Sequence, residues 1–190
     1  MIKPIVKFIS VLSTVLIILG FLIFIFMKED KFPAPENTHT ETFIVVRVID
    51  GDTFELSNGQ RVRMLGIDTP EKYDSKKLER DVEITKQDRK TIKRLGELAS
   101  EYVKNFLEGK RVILKKEPYG DDKDKYGRLL RWVYLEDGTF VNGKIVADGY
   151  ANVYEEFPVS KTLELRQLER EARENKRGLW GEIKGLQQFK

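Results

Sequence analysis

From Phe8 to Met27 the chain runs for twenty positions without a charge. As a helix rising ~1.5 Å per residue, that run reaches across the ~30 Å of hydrocarbon in a bilayer. Lys3 and Lys7 precede it and the mixed quartet Lys28-Glu29-Asp30-Lys31 follows. The positive-inside bias therefore predicts a cytoplasmic N-terminus and an exported remainder. A signal peptide removed from the mature chain is the alternative, although its apolar core would be shorter and no small-x-small site closes the run. Residues 1–28 thus read as a membrane anchor (membrane contact through residues 8–27) or a signal segment. Residues 29–41, with Pro33 and Pro35, read as a linker, 42–184 as the folded domain and 185–190 as a tail.

Beyond the linker the period changes. Residues 42–50, TFIVVRVID, are β-branched and apolar and end at an Asp-Gly turn. Residues 53–67 predict a hairpin, two strand-like runs joined by Ser57-Asn58-Gly59, with Asn-Gly supplying positive φ. Residues 72–87 are highly charged and lack a strand period, which predicts a surface loop or a frayed helix. From Arg89 to Leu107 the apolar positions Ile92, Leu95, Leu98, Ala99, Tyr102, Val103 and Phe106 recur every three or four residues, the stripe of an amphipathic helix closed by Gly109. Residues 111–117 and 128–141 read as strands, the second with an Asp137-Gly138 turn. Residues 141–149 read as a short helix capped by Gly149. Residues 161–175 form a last helix with Leu163, Leu165, Leu168 and Ala172 available for packing. Strands first, with helices interleaved and last, make an α+β class. Trp132 and Trp180 are assigned to packing.

Composition narrows the chemistry. Of the formal +3, about +1 remains once the four lysines of residues 1–31 are set against Glu29 and Asp30, so any affinity for a polyanion must come from a local patch. The helix face Lys86, Arg89, Lys90, Lys93, Arg94 is one such patch, although a solvated charged face is the simpler reading. The chain has no cysteine, which excludes disulfides, thiolate metal sites and thiol catalysis. Its one histidine, His39, lies in the linker, so general-base work falls to a carboxylate.

Asp52, Arg63, Asp68 and Glu71 fall within twenty residues, at strand ends and turns. Oxygen donors of this kind suit Ca²⁺ or Mg²⁺, and a planar guanidinium suits a phosphate. Either Asp alone would be an ordinary turn former. A second arginine, Arg128, follows in Asp124-Lys125-Tyr126-Gly127-Arg128 and would complete a clamp. Alternation around Val62 aims Arg61 and Arg63 away from the core.

Five fragments, VIDGDTFEL, RVRMLGIDTPE, DKYGRLLRWVYL, VNGKIVADGYANVY and KRGLWG, stand in the order and approximate spacing of the staphylococcal nuclease family. The resemblance covers roughly residues 42 to 182. It implies an OB-fold, a five-stranded β-barrel with packed α-helices, which composition alone does not select. It implies Ca²⁺ as cofactor, with Asp52, Asp68 and the Thr69 carbonyl as ligands. Arg63 and Arg128 are implied as catalytic phosphate contacts and Glu71 as the base acting on water. Lys125 and Tyr126 match positions that touch a nucleotide's terminal phosphate. Tyr154 and Phe157 lie near the family's stacking aromatics, displaced by a shift in register. Relative to the family, residues 72–87 are an insertion. The implied activity is a calcium-dependent endonuclease acting on DNA and RNA to leave 3′-phosphates, anchored on the outer side of a membrane or secreted. A non-catalytic nucleic-acid-binding domain is the rival, and copies of that kind lack part of the Asp/Arg/Glu set present here. Nothing in the chain calls for a protein partner.

Overall fold

A computed structural model describes residues 41–182. The expected run at 8–27 lies outside the described residues, and among those described no helix is long and apolar enough to cross a membrane.

Five strands close into a barrel in the order β1 (Thr42–Val48), β2 (Thr53–Leu56), β3 (Arg61–Met64), β6 (Leu129–Leu135), β5 (Arg111–Lys115). All neighbours pair antiparallel except β3 and β6, which run parallel with Arg63 opposite Leu130. Closure removes the sheet edges. Two short strands, β4 (Ile67–Asp68) and β7 (Asn152–Val153), pair beside the barrel. This is the five-stranded α+β barrel that the resemblance implies. The β2–β3 turn differs from the expected one. Only Gly59, at φ 81°, is left-handed, and the turn is closed by Leu56 N–H donating to the Gln60 carbonyl and Gly59 N–H donating to the Leu56 carbonyl, instead of an Asn-Gly primed turn.

Alternate residues of each strand fill the barrel, with Val45, Phe54, Leu56, Val62, Val112 and Val133 fully buried. Helix α2 (Arg89–Leu107) covers one opening with Val103 and Leu107 and sends Leu95 and Ala99 to a smaller cluster around Leu179. Asp88 caps it by accepting from the Thr91 N–H at 3.0 Å. Helix α3 (Val141–Ala147) brings Asn142, fully buried, between strands, where it accepts from Val133 N–H and donates to the Leu65 carbonyl, both at 2.9 Å. Helix α4 (Thr162–Glu174) buries Leu165 and Ala172, but Leu163 is 79% exposed. Two residues along a helix turn the side chain by about 200°, so Leu163 and Leu165 cannot share a face. A short helix, α5 (Leu179–Glu182), follows.

The charged run after Glu71 is ordered as helix α1 (Lys76–Thr85). Ser75 caps its start by accepting from Leu78 N–H at 3.1 Å, and Lys86, at φ 58°, ends it. Leu78 and Thr85 alone are buried, which is why the apolar period is hard to see.

Candidate active site

The β1–β2 turn positions Asp52. Ile49 and Asp50 N–H groups both donate to the Thr53 carbonyl, and the Asp52 carbonyl accepts from Met64 N–H at 2.9 Å, fixing the turn to β3. Gly51 permits close contact, because a Cβ there would lie 2.6 Å from Thr69 Cγ2. Thr69 therefore closes over Asp52, donating to Oδ2 from its N–H at 3.2 Å and its hydroxyl at 3.3 Å.

Strand β3 carries Arg63 opposite Thr53, and its side chain turns back across the β3–β4 corner. There it donates to the Met64 and Ile67 carbonyls and pairs with Asp52 Oδ2 at 2.9 Å and Asp68 Oδ1 at 3.3 Å. Unlike the exposed Arg61, it leaves only 15% of its side chain to solvent. Arg128 is linked to the same carboxylate through the Thr53 hydroxyl. Its Nη1 donates to Thr53 Oγ1 at 3.2 Å, and Thr53 Oγ1 donates to Asp52 Oδ1 at 3.0 Å. Nε and Nη2 of Arg128 both meet Asp124 Oδ2 at 2.7 Å, so Asp124 aims this guanidinium.

Lys125 and Tyr126 stand exposed at the tip of the same loop, with Tyr126 72% exposed. The tyrosine ring lies 5.1 Å from Lys125 Nζ and 5.4 Å from the Arg128 guanidinium carbon. Tyr154 follows β7, the partner of β4, and its hydroxyl donates to Glu156 at 2.7 Å. Burial and the Glu156 carboxylate push that phenol up to about 12, with Asp68 adding to the effect. Phe157 is exposed, its ring 6.0 Å from Tyr154. Trp132 is buried, as assigned. On the basic face of α2, Arg89 pairs with Glu79 and Lys93 with Asp74.

Glu71 is held apart from the Asp52–Asp68 pair. Its Oε1 accepts from the N–H groups of Lys72 at 2.9 Å and Tyr73 at 3.0 Å, and Oε2 accepts from Ser75 Oγ at 3.1 Å. Helix α2 holds this loop in place, since a Cβ on Gly96 would lie 2.7 Å from backbone atoms of Pro70, Glu71 and Lys72. The three carboxylates close in sequence thus divide into two together and one beside them. Among the described residues, no three acidic or histidine side chains gather tightly enough to hold a metal by themselves.

Two residues at the centre carry no role in the sequence reading. Asp50 hydrogen-bonds Asp52, and burial together with the Asp52 charge raises its carboxyl to about 7. The repeated Asp of Asp50-Gly51-Asp52 was a visible signal. Lys77, in the first turn of α1, donates to the Thr69 carbonyl at 2.7 Å and pairs with Asp81 Oδ2 at 3.0 Å and Asp68 Oδ2 at 3.4 Å. Its i,i+4 spacing to Asp81 resembles any surface helix pair. Burial alone would raise the Asp52 carboxyl and lower the Lys77 ammonium, moving both toward neutrality. Arg63 keeps Asp52 below the ordinary carboxylate range instead, and Asp68 and Asp81 keep Lys77 above the ordinary amine range. Asp68 stays raised by burial, which Lys77 offsets only in part.

The donor chemistry fits a hard divalent cation. Two carboxylates and one backbone carbonyl are all oxygen donors, and the Lys77 ammonium already lies against Asp68 and the Thr69 carbonyl as a cationic stand-in.

Residues 61–182 match the family model described as Staphylococcal nuclease homologue. An "Uncharacterized endonuclease" of Escherichia coli O157:H7 is 36% identical over 141 residues, 73% of this chain and 76% of its own length. The "Thermonuclease" of Staphylococcus hyicus is 31% identical over 162 residues, 82% of this chain and 86% of its own. "Endonuclease YhcR" of Bacillus subtilis (strain 168) is 33% identical over 162 residues, 80% of this chain, but the chain spans only 12% of that protein.

Proposed function

This chain belongs to the staphylococcal nuclease family of phosphodiester hydrolases, and from that premise we propose that it is a calcium-dependent endonuclease cleaving DNA and RNA to 3′-phosphate products. The observation that carries the reading is the path from Arg63 through Asp52 and Thr53 to Arg128, in which Arg63 pairs directly with Asp52 Oδ2 and Arg128 donates to the Thr53 hydroxyl that in turn donates to Asp52 Oδ1.

Hydrolysis of a phosphodiester needs the substrate oriented, the negative charge on the phosphoryl oxygens compensated and a water aimed in line. Bound by Asp52, Asp68 and the Thr69 carbonyl, Ca²⁺ would supply fixed positive charge beside the phosphate. Arg63 and Arg128 each offer parallel N–H donors to an anion, and both are aimed in advance by carboxylates. A substrate phosphate exchanges with those carboxylates as the arginines' partner. Glu71 takes three hydrogen bonds from its own loop, leaving about one of a carboxylate's four lone-pair sites for a water proton. Its position is set by the loop and by α2, independent of the cation.

Lys125 and Tyr126 are substrate contacts in this reading, a charge for phosphate and a ring for a base or sugar, next to Arg128. Tyr154 is a third, on the side of Asp68. The apolar run at 8–27 tethers the domain of residues 42–184 to the outer face of a membrane, or is removed on secretion. Supercoiled plasmid incubated with the purified protein in Ca²⁺ or in EGTA tests the reading. Nicking in Ca²⁺ alone supports it, and equal nicking in both conditions removes the metal. Undiminished nicking by Glu71→Gln would withdraw the role given to that residue.

A further inference from the structure

Helix α1 delivers a single cation to the oxygens proposed above as metal ligands. The Lys77 ammonium is bonded to the Thr69 carbonyl at 2.7 Å and lies 3.4 Å from Asp68 Oδ2. Asp81, one turn further along, holds it from the far side at 3.0 Å. Three oxygens from two elements thus surround one nitrogen, with 25% of the lysine side chain and 15% of the Asp81 side chain left to solvent. The helix is fixed at both ends, by the Ser75 cap and the left-handed Lys86, and Leu78 anchors its middle at 0% exposure. Lys77 therefore reaches this position on a rigid support and not on a loose loop.

We propose that Lys77 is a tethered counter-ion that occupies the oxygen cage until a divalent cation expels it, so that this residue sets the metal affinity of the site. The inference rests on the calcium reading above. A lysine has a flexible four-carbon stem, so its charge can leave while α1 stays in place. It has somewhere to go. A groove of about 990 Å³ opens beside it, lined in part by Asp68, Thr69, Lys77, Asp81 and Tyr154. The consequence is competitive. One positive charge already satisfies Asp68 and the Thr69 carbonyl, so an incoming ion gains only the difference, and a monovalent ion gains almost nothing. Selection for a dication then comes from the occupant as well as from the ligands.

Calcium titration by calorimetry of the full chain in detergent, with wild type, Lys77→Met, Lys76→Met and Asp68→Asn, tests this. Lys77→Met keeps the length and apolar stem and removes the charge, and its dissociation constant should fall by about tenfold. The neighbouring exposed Lys76 controls for a general charge effect, and Lys76→Met should bind as wild type. A second measurement needs no variant. Acylation of the Lys77 amine by a succinimidyl ester, read by mass spectrometry, should rise when Ca²⁺ saturates the protein.

Unchanged or weaker binding by Lys77→Met, or labelling indifferent to Ca²⁺, overturns the proposal. If that happens while wild type binds and Asp68→Asn does not, the calcium site stands and only the lysine's role falls. If neither wild type nor Lys77→Met binds Ca²⁺, both readings fall together.

Discussion

Asp52 and Glu117 are both carboxylates withdrawn from water, 6% and 8% exposed, and the chain satisfies them by opposite means. Glu117, just past β5, takes three hydrogen bonds on one oxygen, from Trp132 Nε1 at 2.9 Å and from Ser160 N–H at 3.2 Å and Oγ at 2.9 Å. All three donors are neutral and belong to packed parts of the fold. Asp52 is held by hydrogen bonds from Thr53 and Thr69 and also by the Arg63 guanidinium. Neutral donors in a packed corner fix geometry and have no other anion to serve. A cation on a carboxylate can change partners: in the readings proposed above, Arg63 turns to a phosphate and Lys77 gives way to a metal. Glu117 therefore ties the segment at Ser160 to the barrel, whereas Asp52 stands in a charged cluster where the proposed function calls for exchange of partners.

The largest expected effect on that contrast comes from Arg63→Lys. A lysine keeps the charge and loses the fork, so initial rates of plasmid nicking at saturating Ca²⁺ should fall by about 10³-fold, with the circular dichroism spectrum unchanged. A loss of less than tenfold would mean that Arg63 only neutralises Asp52, which would make the two carboxylates alike. Next is Asp68→Asn. In the wild type, Ca²⁺ at a hundred times its dissociation constant should raise stability by about 2.7 kcal/mol. The variant should show no calcium-dependent shift in thermal melting, because half of its anionic ligand pair is gone.

On the structural side, Glu117→Ala strands the Trp132 and Ser160 donors and should cost about 2 kcal/mol of unfolding free energy in urea titration. Nicking per folded molecule should stay at the wild-type rate. A fall in rate at full folding would move Glu117 from the scaffold to the site.

The same contrast explains what the sequence discloses. Local patterns are readable: the Ile92, Leu95, Ala99, Val103 stripe of α2, the turn glycines, and the Asp52, Arg63, Asp68, Thr69 group, whose members lie within eighteen residues on consecutive strands and their turns. Contacts without local period are not. Glu117 meets Ser160 across 43 positions, and Asn142 donates to Leu65 across 77. Each depends on barrel closure. Helix α1 failed to read as a firm helix because its stability lies in one cap and two buried side chains, not in a stripe. Lys77 has no distinguishing sequence signal, because Asp81 at i,i+4 is its sequence neighbour while Asp68 and Thr69 are its neighbours only in the fold.

The smallest effect expected is also the one that separates the two environments by pH. Asp50 is raised to about 7 from an ordinary 3.8, first by burial and then by the Asp52 charge. A carboxyl whose folded value is raised binds its proton more tightly folded than unfolded. Its contribution to stability is complete below about 4 and is lost as pH rises through about 7. The calcium-free protein, melted in EGTA, should therefore be less stable at pH 8 than at pH 6, and Asp50→Asn should flatten that slope. The Glu117→Ala variant should keep the slope, because Asp50 and its neighbours are untouched. A slope that survives Asp50→Asn would place the pH-sensitive charge elsewhere in the cluster, with the raised Asp68 the first to replace next.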